Sequence, residues 1–141
     1  FILTSHILEH LPNVVAALRE WDRIVIDGGY VFMIVPHKWA FAPDATRELT
    51  SFEHFIEDHV QNASLESHPI DGVPGGKMGH YHTFTPDSVL QVVDWMCRNK
   101  LCDWKLVARE DIDTKVGNGF TLVFMVHHRT SETVRREEAV A

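Results

Sequence analysis

Apolar and polar blocks in the first 36 residues predict a strand, a helix and a second strand. Phe1–Ser5 is typical of a short buried strand, and Tyr30–Val35 is an apolar run of strand length. Between them, apolar residues at helical spacing form one stripe, and Pro12 suits the first turn of that helix. A βαβ unit of this kind predicts two parallel strands. The stripe consists of Leu11, Val14, Val15, Leu18, Trp21 and Val25.

The end of this unit shows how the second strand is packed. Gly28 and Gly29 are expected to supply the positive φ angles that end the helix and turn the chain. Tyr30–Val35 is apolar at every position, which predicts a strand covered by helices on both faces.

The pattern after Pro36 predicts two more helices and two more strands. Thr50-Ser51-Phe52-Glu53 is a capping box that opens a helix to about Gln61, with Phe52, Phe55, Ile56 and Val60 facing inward. Thr85-Pro86 opens another helix, which runs through about Asn99. Two strands follow, and the second is expected to be central because both of its faces are apolar. These strands are Trp104–Glu110 and Gly119–His128.

Three segments lack periodicity. Residues 37–49 are predicted to be a loop, and residues 62–82 a loop long enough to act as a lid over a ligand. Residues 129–141 are charged, and we expect a disordered tail. The pattern as a whole predicts one α/β domain over residues 1–128.

Composition excludes several classes of function. The chain has 141 residues, and its formal net charge of −7 disfavours nucleic-acid binding, which requires a basic face. No apolar run approaches the ~20 residues of a membrane-spanning helix. Cys97 and Cys102 are too few for a disulfide framework and lack metal-type spacing, so we expect a reducing cytoplasm.

Polar residues follow the first predicted strand, between Ser5 and His10. Ligands of open α/β sheets bind outside the carboxyl ends of the strands, so we expect the functional site here. His6-x-x-Glu9-His10 also matches the inverted zinc-hydrolase motif. That chemistry requires both histidines on one regular helix, whereas a strand ends just before His6 and a helix is predicted to begin at Pro12.

Several strings in this order resemble the second half of a class I S-adenosylmethionine-dependent methyltransferase of the small-molecule, type 11-like kind. The resemblance implies a three-layer, Rossmann-like sheet of seven strands, of which residues 1–128 supply strands four to seven with their helices. The strings are Ser5-His6-Ile7-Leu8-Glu9-His10-Leu11, Gly28-Gly29, Ile34-Val35-Pro36, Asp44-x-x-Arg47-x-x-Thr50-x-x-x-His54 and His82-Thr83-Phe84-Thr85-Pro86.

The resemblance implies S-adenosylmethionine as cofactor and a small molecule as methyl acceptor. Thr4, Ser5 and His6 would lie beside the sulfonium, and His10 or Glu9 would take a proton from the acceptor. The alternative for Glu9 and His10 is a structural role at the turn. The family's Gly-rich cofactor loop and ribose-binding acid belong to its first three strands, so we expect only part of the cofactor site among these 141 residues.

The same resemblance places the acceptor near four further residues. Arg47 could hold an anionic or sugar-like group by paired hydrogen bonds. Its alternative is a local ion pair with Asp44 in a solvated loop. His80-Tyr81-His82 could ligate a metal, but without a clear third ligand we expect a lid or pocket role and no metal. The candidate acceptor-binding residues are His37, Arg47, His54 and His80.

A non-catalytic role is the alternative to methyl transfer. Without further strands beside it, Phe1–Ser5 would be an exposed apolar edge that could pair with a second copy or with a partner chain. The chain would then act as a dimerisation module or complete a partner that carries the cofactor half.

Overall fold

A mixed four-stranded sheet forms the centre of the computed structural model, which describes residues 1–68 and 79–128. Its strand order is β1-β2-β4-β3; β1 and β2 are parallel, whereas β4 is antiparallel to both of its neighbours. The βαβ unit and the central place of β4 are therefore confirmed. The strands are β1 (Ile2–Ser5), β2 (Tyr30–Pro36), β3 (Trp104–Glu110) and β4 (Gly119–Val126).

Four α-helices and one short 3-10 helix, Leu8–His10, accompany the sheet in the described ranges. Of the predicted capping residues, Thr85 is confirmed, since its side chain accepts from the backbone amide of Ser88. The preceding long helix is capped by Ser51, whose side chain accepts from the His54 amide, rather than by the predicted Thr50–Glu53 capping box. The α-helices are α1 (Val14–Ile24), α2 (Ala42–Ala45), α3 (Phe52–Val60) and α4 (Pro86–Arg98).

The start of α1 differs from the prediction. Pro12 lies before the helix rather than in its first turn, because Asn13 is the N-cap and its side-chain oxygen accepts from the Ala16 amide at 2.9 Å. The 3-10 helix Leu8–His10 occupies the space just before this cap. Residues 37–49 also depart from the prediction, since they contain α2.

One face of β2 is fully covered. Val31, Met33 and Val35 are buried and join the alternate residues of β4 and the inward side chains of α1 and α4 in a single core. Phe32 and Ile34, on the other face, are only partly buried. The prediction that helices cover both faces of this strand is therefore wrong for the described residues, although the α/β class is confirmed.

Two further packing predictions are corrected by the structure. Val60 is 77% exposed rather than inward, because it is the last residue of α3 and lies beyond the helix's buried stripe, whose centre is Phe55. The prediction that Phe1–Ser5 is buried is also wrong, because Phe1 is 89% and Leu3 63% exposed in the described structure.

Two predicted segments lie wholly or partly outside the description. Residues 69–78 of the predicted lid and the predicted tail at residues 129–141 are not among the described residues. Within the described ranges, no helix is both long enough and apolar enough to cross a membrane.

The two glycines between α1 and β2 have different roles. Gly28 has a φ of +74°, as predicted, whereas Gly29 has no positive φ and is required for space. A Cβ atom on Gly29 would lie 2.6 Å from Val25 Cγ1 and 2.9 Å from the Ile26 carbonyl oxygen. A Cβ on Gly28 would meet no atom within 4 Å.

We therefore expect Gly29→Ala to destabilise the fold more than Gly28→Ala. The first change forces a backbone shift that costs about 1–3 kcal/mol, and the second only a strained backbone conformation that costs about 1 kcal/mol. Urea denaturation of both variants measures the difference. Equal losses would show that the approach of Gly29 to Ile26 does not constrain the turn.

Candidate functional site

A buried carboxylate lies directly after the carboxyl end of β1. Glu9 is 0% exposed, and within the described residues neither of its carboxylate oxygens has a hydrogen-bond partner. Three imidazoles face its Oε1 atom: His10 Nε2 at 3.6 Å, His6 Nδ1 at 3.8 Å and His80 Nε2 at 4.0 Å. We call Glu9, His6, His10 and His80 the Glu9 cluster. An unpaired buried carboxylate costs stability, which makes this cluster a candidate functional site.

Backbone contacts hold the cluster together. The His6 amide donates to Ile34 O at 2.9 Å, and His6 has a φ of 53°, so the chain turns sharply as it leaves the sheet. The Tyr81 amide donates to Glu9 O at 2.7 Å and so brings the extended segment 79–84 against the turn. This contact places His80 opposite Glu9 although 71 residues separate them in sequence.

The hydrogen bonds of His10 and His80 fix which nitrogen faces Glu9. His10 Nδ1 lies 2.9 Å from Gly79 O, and a carbonyl oxygen can only accept, so this nitrogen carries the hydrogen. His80 Nδ1 lies 2.9 Å from Asp44 Oδ2. Arg47 Nη1 donates to the other Asp44 oxygen at 3.0 Å. In both histidines Nε2 is therefore the nitrogen directed at the carboxylate.

The pKa values of Glu9 and Asp44 are shifted in opposite directions. Burial raises the pKa of Glu9, while its own backbone N–H and the charges of His10 and His80 lower it by less. Burial would also raise the pKa of Asp44, but hydrogen bonds and charge from His80 and Arg47 outweigh this effect and lower it. Asp44 is therefore the stable anion, whereas burial favours the protonated form of Glu9.

The Arg47–Asp44 pair is thus not the solvated ion pair considered as an alternative. The Asp44 side chain is almost completely buried, and it joins Arg47 to His80.

A second cluster surrounds Asp58. His82 Nε2 lies 2.9 Å, His68 Nε2 3.3 Å and His54 Nε2 3.4 Å from Asp58 Oδ2. The His54 and His68 Nε2 atoms are 3.0 Å apart. We call these four residues the Asp58 cluster. All four can offer one ligand atom to a cation, and these atoms lie within 4.8 Å of one another.

Three chain segments build the Asp58 cluster. His54 and Asp58 are one turn apart on α3, which places them on the same face of the helix. His68 follows α3, and His82 comes from the extended segment that also carries His80. Burial lowers the pKa of His82 to about 4 against the opposing effect of Asp58, so this imidazole is neutral at physiological pH.

An open cavity of about 530 Å³ adjoins the Asp58 cluster. Arg47 and His54, two predicted acceptor-binding residues, both line it, together with His68 and Tyr81. His37 does not. It lines a different cavity with Trp39, and burial lowers its pKa. The structure therefore separates His37 from the other predicted acceptor residues.

The predicted residues of the β1 end occupy the expected place. Thr4 is half-buried, Ser5 is exposed, and His6 begins the turn toward Glu9. The helix that a zinc hydrolase would need is not formed here, because His6 has left-handed φ and only Leu8–His10 is helical, as a 3-10 turn. The roles of Thr4, Ser5 and His6 toward a cofactor stay predictions.

The Asp58 cluster was not expected from the sequence. The sequence around His80-Tyr81-His82 indicates no third ligand, whereas the structure places Asp58, His54 and His68 around His82. One signal was present: His54 and Asp58 have i, i+4 spacing on a predicted helix, and Asp58 falls on its inward side.

No family model, no curated protein and no solved structure matches this chain.

We expect Glu9→Gln to stabilise the protein at pH 8 by about 1–2 kcal/mol, since it removes a buried charge without changing the shape of the side chain. The gain should shrink toward pH 5. A carboxyl group with a raised pKa in the folded state contributes stability at low pH and loses it as pH rises through that pKa.

Urea denaturation at pH 5, 6.5 and 8 tests this expectation, and the facing groups His6, His10 and His80 stay unchanged. Glu57→Gln, at an exposed position of α3, is the matched control. A gain that does not depend on pH would show that ionisation of Glu9 is not the cause.

Proposed function

We propose that this chain forms the acceptor side of a class I S-adenosylmethionine-dependent methyltransferase, which transfers a methyl group to an oxygen, nitrogen or carbon of a small molecule. The observation that carries the proposal is the Glu9 carboxylate, buried and unpaired at the carboxyl end of β1 among three imidazoles. Enzymes keep such costly arrangements where chemistry requires them.

The fold supports this proposal in two ways. The described sheet has four strands, the number that the resemblance assigns to strands four to seven. Its parallel pair β1–β2 is joined by α1, and the Glu9 cluster lies where ligands bind in open α/β sheets.

The residues present fit a sulfonium cofactor. S-adenosylmethionine carries a positively charged sulfur, and a desolvated carboxylate without a hydrogen-bond donor favours a nearby cation. Ser5 is exposed at the strand end and His6 lies 3.8 Å from Glu9, so both would contact the cofactor from this side. The bound cofactor would supply an electrophilic methyl group.

His10 is the residue best placed to accept a proton. Its Nδ1 hydrogen is engaged with Gly79 O, so Nε2 is the nitrogen that can take up a proton, and the side chain is 42% exposed. When His10 takes the acceptor's proton, the carboxylate of Glu9 at 3.6 Å stabilises the resulting positive charge. His80, which is hydrogen-bonded to Asp44, also faces the Glu9 carboxylate.

The cavity beside α3 suits a small polar acceptor. Arg47 lines it and binds Asp44 through Nη1, which leaves guanidinium hydrogens for an anionic or hydroxyl-rich ligand. We also propose a cytoplasmic setting. Cys97 and Cys102 support it because their sulfur atoms lie 3.5 Å apart and are not joined by a disulfide.

Calorimetric titration with S-adenosylmethionine and with its demethylated product tests this function. We expect saturable binding of both by the folded chain. In Glu9→Gln, affinity for the cationic cofactor should fall about tenfold, since one charge interaction is lost, while affinity for the uncharged product stays the same.

Glu57→Gln serves again as the control and should bind both ligands like the unmodified chain. If the folded chain binds neither ligand, or if Glu9→Gln weakens both equally, the proposed role of Glu9 toward the cofactor is wrong.

A module that pairs with a second copy of itself is the second candidate function. The exposed side chains of Phe1 and Leu3 on the edge strand β1 favour it. Sedimentation equilibrium between 5 and 200 µM, roughly the range of weak self-association, should show a dimer that Leu3→Lys abolishes. Val116→Lys changes an equally exposed apolar residue in the β3–β4 connection and should not affect it. A monomer at all concentrations would eliminate this function.

A further inference from the structure

We infer that the Asp58 cluster binds one zinc ion through His54, Asp58, His68 and His82. The distances between the ligand atoms are the first argument. Bonds of about 2.0–2.1 Å in a tetrahedral zinc site place ligand atoms about 3.3 Å apart. Four of the six separations, between the Nε2 atoms and Asp58 Oδ2 and between the Nε2 atoms of His54 and His68, run from 2.9 to 3.4 Å, and the other two are within 4.8 Å.

Hydrogen bonding satisfies this geometry only in part. If His54 and His68 both donated from Nε2 to Asp58 Oδ2, their two hydrogens would face each other across 3.0 Å. If one of them lacks that hydrogen, it can accept from the other, but its lone pair then also lies 3.3 or 3.4 Å from the carboxylate oxygen. A cation at the centre removes both conflicts, because every atom then presents a lone pair to it.

The donor set selects the metal. Three imidazoles and one carboxylate suit zinc and other divalent transition metals, whereas magnesium and calcium prefer oxygen ligands. Four protein ligands form a closed shell, which is typical of a structural zinc site rather than a catalytic one. The His54 side chain is 39% exposed and lines the cavity beside α3, so an ion has a path of entry.

A bound ion would restrain the positions of the chain segments around it. The ion would join α3 to the extended segment that carries His82, and would thereby fix the position of His80, two residues earlier, against Glu9. Asn13 strengthens the same junction, since its side-chain amide donates to the Asp58 carbonyl oxygen at 3.2 Å. The site thus fastens the extended segment to both α3 and the start of α1.

Zinc titration of the chelator-treated chain, in competition with a chromophoric chelator, tests this inference. We expect one equivalent to bind tightly, with a rise in melting temperature. His54→Ala should weaken binding about 100-fold or more, since even loss of a residue behind a ligand costs 10–100-fold. His54 is the ligand best suited to substitution because it is the most exposed of the four.

His59→Ala is the matched control, because His59 lies on the same helix but contacts Trp95 instead of the cluster. It should bind zinc like the unmodified chain. Cobalt substitution gives a second readout, the visible absorption of a tetrahedral site, which Asp58→Asn should lose or shift. If the metal-free chain is unfolded, recovery of its structure on zinc addition supports the site. Absence of binding, equal binding by His54→Ala and His59→Ala, or equal response to magnesium would overturn it.

Discussion

The backbone hydrogen bond from the Tyr81 amide to Glu9 O, at 2.7 Å, attaches the extended segment 79–84 to the turn after β1. The Thr83 side chain holds the same segment against Thr50 and Glu48. Alternate side chains of that segment then reach two different acids, His80 toward Asp44 and Glu9 and His82 toward Asp58. Because residues i and i+2 of an extended chain point to the same side, fixing Tyr81 aligns both histidines at once.

The two clusters differ in how their central acid is satisfied. Asp58 Oδ2 has three imidazole nitrogens within 3.4 Å, whereas the Glu9 oxygens have none closer than 3.6 Å. Close convergence is what a bound cation requires. The wider spacing around the Glu9 carboxylate, which has no hydrogen-bond partner among the described residues, leaves room for a proton or for the charge of a ligand. The ligand atoms of the Asp58 cluster are therefore more closely converged than those of the Glu9 cluster.

Local patterns were sufficient to predict the elements. The 3.6-residue and two-residue periods located the three long α-helices and all four strands of the described ranges, and capping chemistry located Thr85, whereas the N-cap of α3 is Ser51 rather than Thr50. Pro12 does not mark the start of the helix, because Asn13 is the N-cap. The Asn13 side chain accepts from the amide of Ala16, which lies within the helix itself. The partly covered face of β2 was not predicted, because the apolar composition of a strand does not show which elements pack against each of its faces.

The pairings of histidines with acids at the site could not be predicted, because they are contacts between residues far apart in sequence. His82 meets Asp58 across 24 positions and His80 meets Asp44 across 36, and no local period encodes either pairing. The resemblance located Glu9 and His10 because both lie within one turn of a strand end. It could not reveal that His80 and His82 serve separate acids. That division follows from the path of segment 79–84, which connects the Glu9 cluster to the Asp58 cluster. A cation in the Asp58 cluster would therefore act on the Glu9 cluster through position alone, by restricting where His80 can lie.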